Sequence, residues 1–167
     1  MNPVARIEKI LLEETELYSE LYGLEESKSA AIIERNGKLL ESVSQKQEQL
    51  LGRIAVLEAA REKHITEYAE INRLDDLPRA VTLRDIVLSM DEDASHRLLR
   101  AGMDLKKLLL RLDSLNKTNR TLIEDNLEFF NILLSGLKNT VSVNVGYSDR
   151  GLEKPKVGGS LLFNKTV

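Results

Sequence analysis

Apolar residues recur at helical spacing along most of the chain. The first run, Ile7, Ile10, Leu17, Leu21 and Leu24 with Leu11 and Tyr18 widening the stripe, predicts one amphipathic helix that begins at Asn2-Pro3. Asn there caps free amides, and proline in a first turn sacrifices no hydrogen bond. Asn36-Gly37 is the first break, because both residues tolerate the left-handed conformation; it either reverses the chain or kinks it. A second helix is expected from about Lys38 to Arg73, with Leu40, Val43, Leu50, Ile54, Leu57, Tyr68 and Ile71 on one face. Gln47, Arg61 and His64 interrupt its seam, so weak packing is expected. LDDLPRAVT ends it, since Pro78 disfavours helix in the residue before it.

Thr82 with Asp85 three residues on predicts a cap for a short helix over Leu83 to Ser89, and Asp91 a cap for the next. The last pattern runs through Leu98, Leu105, Leu109, Leu112, Ile123, Phe130, Leu133 and Leu137 to about Asn139. Such a helix has roughly 45 residues and is about 65–70 Å long. Asn116, Asn119 and Asn126 fall within its seam, where a buried Asn costs stability but fixes register. Beyond it, TVSVNVGY alternates like a strand and SDRG reads as a turn. The expected fold is all-α: an elongated antiparallel bundle of three long helices with a short connecting helix. A helical body over 1–139 is followed by an irregular or weakly β tail over 140–167.

Composition agrees with long helices: 42% of the 167 residues are hydrophobic and 31% charged, with 4% aromatic and no Trp. There is no Cys, which removes disulfides, thiol nucleophiles and thiolate metal sites. Neither a secretory leader nor a run of about 20 apolar residues is present, so a cytoplasmic protein without membrane insertion is expected. The net charge of −3 argues against a broadly basic nucleic-acid binder. Its distribution is uneven. Ile7 to Glu26 holds seven acids against Lys9, while Arg97 to Arg120 holds seven bases against Asp104 and Asp113. The two segments are expected to answer each other across a helix pair.

His64 and His96 lie on separate helices with no metal-ligand set around them, and neither HExxH nor GxSxG occurs. No catalytic residue, cofactor or metal is therefore assigned, and the chain reads as a non-enzyme. The basic helix, with TLRDIVLSMDEDASHRLL, admits a helix-turn-helix reading, but a solvated face is the simpler account. From Leu122 to Leu137 the apolar residues cover more than one helix face, which marks a partner surface, an oligomer contact or a private core.

Taken together, ETELYSELYGLEESKSAAIIERNGKLLESVSQKQEQLLGRI, TLRDIVLSM, LNKTNRTLIEDNLEFFNILLSGL and GYSDRG, in that order from about Ile7 to Gly151, resemble FlgN-type flagellar export chaperones. The resemblance implies a cytoplasmic chaperone that binds the C-terminal helices of hook-associated (hook–filament junction) proteins, keeps them unassembled and delivers them to the flagellar export gate. It implies a client surface on the third long helix, assigned here by surplus hydrophobicity to Leu122, Phe129, Phe130, Leu133 and Leu137. It also implies that Tyr147, with Gly151 four residues later, docks on the cytoplasmic domain of the export gate. The tail departs from the family in its length after Gly151 and in the apolar Leu161 to Phe163. A structural coiled coil that pairs with itself is the rival from another class, and self-association without client is compatible with both.

Overall fold

Asn2 starts the first helix as the sequence predicts, its side-chain oxygen accepting from the Val4 amide at 3.1 Å with Pro3 in the first turn. The computed structural model describes residues 2–74, 79–132 and 135. Four helices stand in the order α1 (Pro3–Ile33), α2 (Gly37–Ile71), α3 (Leu83–Leu88) and α4 (Glu92–Asp125), with a further helical segment over 127–132. The expected strand pattern, Tyr147 and Gly151 lie outside the described residues.

α1 is the spine. It packs along α2 on one side and along α4 on the other, while the backbones of α2 and α4 hardly approach each other. Two neighbours demand a wide apolar stripe. Ile7, Leu11, Tyr18 and Leu21 are buried on α1, in one cluster with Leu50 and Ile54 of α2 and Leu98, Leu105 and Leu112 of α4. Each such side chain contributes about 1.5–3 kcal/mol of burial. Cross-helix pairs set the directions. Glu14 meets Arg61 and Glu25 meets Gln47, so α2 runs antiparallel to α1; Glu8 meets Arg97 and Ser29 meets Asn119, so α4 runs parallel to it.

The break between α1 and α2 reverses the chain, but its left-handed residue is Arg35 (φ 52°), not Asn36 or Gly37. The Asn36 amide donates back to the Ala31 carbonyl at 2.8 Å and Arg35 to Ile32 at 3.1 Å, the paired bonds of a Schellman ending. Asn36 is then free to cap α2, accepting from the Leu39 amide, and Gly37 is simply its first helical residue. α2 ends the same way at Arg73 (φ 56°), with the Leu74 amide on the Ala69 carbonyl. Ile71, expected on the buried face, is 71% exposed although Tyr68 and Ala69 in the same turn are buried, because at about 100° per residue it stands roughly 100° round the helix from Ile54.

α3 is held by the expected cap in reciprocal form: Thr82 Oγ1 accepts from the Asp85 amide, and Asp85 accepts from the Thr82 amide at 2.8 Å. The Arg79 guanidinium and Thr82 together hold the Asp85 carboxyl well below the usual range. Asp91 caps α4 through the Ala94 amide. The single long helix expected to reach Asn139 is interrupted at Asn126. Its side chain turns back to the Leu122 carbonyl at 2.9 Å and accepts from Arg35, so the Asn makes a turn, not a seam contact. Helical bonding resumes with the Phe130 amide on the Asn126 carbonyl.

Candidate functional site

Two of the polar interruptions of the α2 seam, Gln47 and Arg61, find partners on α1, while His64 pairs with Glu67 of α2 itself. Glu25 is buried at the junction of three helices, where it accepts from Gln47 Nε2 at 2.8 Å and from Asn119 Nδ2 at 2.6 Å. Asn119 Nδ2 also donates to the Glu25 carbonyl, and Ser29 Oγ donates to Asn119 Oδ1 at 2.5 Å. Lys28 closes the charge at 3.0 Å. This cluster sets the register of α1, α2 and α4 together, the role expected of a seam Asn. Sequence reading found Asn119 for it; Asn116 is half-buried and Asn126 is spent on the turn.

Lower on the α1–α2 face, Glu14 is fully enclosed, with Arg61 Nε at 3.0 Å from Oε1 and no partner for Oε2 among the described residues. Burial pushes its carboxyl above the ordinary value, and the Arg61 charge only partly opposes this. Tyr18 donates to Glu58 at 2.8 Å; burial and that carboxylate push its phenol well up. At the base, a cavity of about 410 Å³ opens between the starts of α1 and α4 and the end of α2. Its polar groups are already paired, Tyr68 with Ser89 and Arg97 with Glu8. No group of His, Asp or Glu suited to a metal ion occurs among the described residues.

The surface of α4 carries the remaining chemistry. Of the five residues assigned to client contact, Leu122 and Phe129 are half-buried and Phe130 is 3% exposed; Leu133 and Leu137 lie outside the described side chains. Phe129 and Phe130 meet edge to face at 5.2 Å, and Arg35 stands 5.8 Å over the Phe129 ring. Phe130 thus serves the private core, while Leu127 and Ile132 beside it are exposed.

Three apolar residues that the sequence reading passed over stand out on the opposite face of α4. Leu99, Met103 and Leu110 are 41%, 62% and 64% exposed. Spacings of four and seven put them on one stripe, since both are close to whole turns. The signal was present in the sequence: these residues fall outside the Leu98, Leu105, Leu112 seam, and no other face of α1 or α2 presents such a row. The expected charge match between α1 and α4 is nearly absent. Arg97 with Glu8 is the one ion pair between them among the described residues, and Arg111 instead covers the Tyr22 ring at 4.8 Å.

No helix among the described residues is long and apolar enough to cross a membrane. No curated protein and no solved structure matches the chain. The family model described as FlgN protein matches residues 1–155, which takes in all four helices and the distal segment. With that match spanning nearly the whole chain, and with an all-helical body of the expected order, the protein belongs to the FlgN family of flagellar export chaperones.

Proposed function

We propose that this protein is a cytoplasmic chaperone of flagellar type III secretion that binds the C-terminal helices of hook-associated proteins, keeps them unassembled and delivers them to the export gate. Family membership over residues 1–155 carries the reading. Its mechanism is physical. An amphipathic helix released from a filament subunit has an apolar face that aggregates in water, and a second helix surface that covers this face removes the cause. Such work needs no catalytic group, nucleotide or metal, and the chain acts without them. The exposed Leu127 and Ile132, beside the half-buried Leu122 and Phe129, support placing one client contact at the distal end of α4. Leu133 and Leu137 extend that contact, Phe130 braces it from below, and Tyr147 with Gly151 docks on the cytoplasmic domain of the gate. Free of client, the chain has apolar surface through which it can pair with a second copy.

Co-expression with a hook-associated protein tests this directly. The expected result is a stoichiometric complex that is lost when the client's C-terminal helix is deleted. A client that fails to co-purify with the full chain contradicts the proposal.

A further inference from the structure

The outward stripe of α4 has a character that the distal contact lacks. Leu99, Met103 and Leu110 span about 16 Å of helix, three turns, at 1.5 Å per residue. Lys106 stands in the row between Met103 and Leu110, and Arg100 and Lys107 line one edge of it with the exposed Asp104 beyond; all three cations are exposed and none forms an ion pair among the described residues. An apolar row flanked by uncommitted cations is complementary to a helix that is apolar on one face and acidic along its edges, in the manner of a coiled-coil seam with charged flanks.

Occupants from within the chain fit less well. Residues 136–167 carry five bases against two acids, the wrong sign for this rim. Two α4 stripes laid face to face would match apolar rows but oppose Arg100, Lys106 and Lys107 with their own kind. The outer face of α1 in a second copy supplies Glu16, Glu20 and Glu26, but its large exposed apolar residues are Leu12 and Ile33, too far apart to fill a three-residue row. Charge alone, without an apolar counterpart, leaves the row in water.

The geometry points to the proximal outer face of α4, from Leu99 to Leu110, as a berth for an acidic amphipathic helix of the client. This rests on the chaperone reading above and adds a second helix contact, upstream of the distal one and selective for charge.

The test uses the full chain and two synthetic amphipathic peptides of about 20 residues, long enough to span the stripe. Both have the same leucine face; one has glutamate flanks and the other lysine flanks. By fluorescence anisotropy the glutamate peptide binds, and the lysine peptide binds about tenfold more weakly or less. Met103→Glu with Leu110→Glu weakens the glutamate peptide about tenfold, and Lys106→Glu with Lys107→Glu reverses the preference between the peptides. All four positions are exposed, and unchanged melting of the variants verifies the fold. Equal binding of the two peptides overturns the proposal, as does wild-type binding by the Met103/Leu110 variant. Light scattering that shows a dimer abolished by Leu110→Glu overturns it in favour of a second copy, and capture of anionic vesicles in place of the peptide overturns it in favour of a membrane surface. Co-purification of a hook-associated protein at wild-type level with the Met103/Leu110 variant sinks this berth and leaves the chaperone reading standing. Failure of the wild-type chain to co-purify the client sinks that reading instead.

Discussion

Asn119 ties α4 to α1 through a single buried side chain. It donates to both the backbone and the carboxylate of Glu25 and accepts from Ser29, with 1% exposure. Asn119→Ala leaves the buried Glu25 carboxylate short of a donor, while the Ser29 hydroxyl keeps the Glu25 carbonyl as an acceptor, so chemical denaturation should show a loss of about 2–4 kcal/mol. Asn119→Asp should cost more, because it sets a second carboxylate against the first. Glu14 gives a pH-dependent counterpart. Its carboxyl is raised in the folded chain, which therefore holds that proton more tightly than the unfolded chain does. The stabilising contribution is present below the ordinary carboxyl value and is lost as pH rises through the raised one. Asp85, held low, has the opposite dependence, but it is common to wild type and variant. Melting temperatures of wild type and Glu14→Gln compared across this window should thus shift in favour of wild type as pH falls. A constant difference would mean that Glu14 does not titrate differently on folding.

Helix order and most helix starts were legible in the chain because caps are local chemistry. Asn2-Pro3, Thr82 with Asp85, and Asp91 each satisfy free amides within three residues, and no distant contact competes. Helix ends were less so. The left-handed residue fell on Arg35 because the Schellman bonds count from Ala31, and Asn36 was better used capping α2. Asn126 offered two uses, seam or turn, and in the turn it bonds both the Leu122 carbonyl and Arg35 of the distant α1–α2 connection, a partner that no local pattern discloses. The same holds for Gln47 and Arg61, which look like flaws in α2 until Glu25 and Glu14 stand opposite. α3 is the element most open to a direct test. A Cβ built on Gly102 would lie 2.5 Å from Leu83 Cδ2, the tip of a flexible side chain that can shift. Gly102→Ala should therefore stay within about 1 kcal/mol of wild type, the gain in helix propensity offsetting the shift. Gly102→Leu should cost about 1–3 kcal/mol and loosen α3, seen as faster amide exchange over Leu83–Leu88 with α1 unchanged.

On the scale of the whole molecule, α1 is committed on two sides to holding α2 and α4, so surface for a partner falls to the outer helices. α4 has the larger share, with Leu99, Met103 and Leu110 exposed and Leu127 and Ile132 beyond its end; α2 offers only Val56 and Ile71, about four turns apart. In the proposed function Tyr147, which lies outside the described residues, has a second task separable from the first. Tyr147→Ala should leave client co-purification intact and abolish capture by the export gate's cytoplasmic domain; loss of both would make the residue structural. Burying apolar surface against α4 is the central physical claim, and hydroxyl-radical footprinting of the full chain with and without a purified hook-associated protein reads it side chain by side chain. The account predicts that Met103, Leu110 and Phe129 lose reactivity in the complex while Val56 and Ile71 keep theirs. Protection of Val56 and Ile71 with α4 as reactive as in the free chain would contradict it.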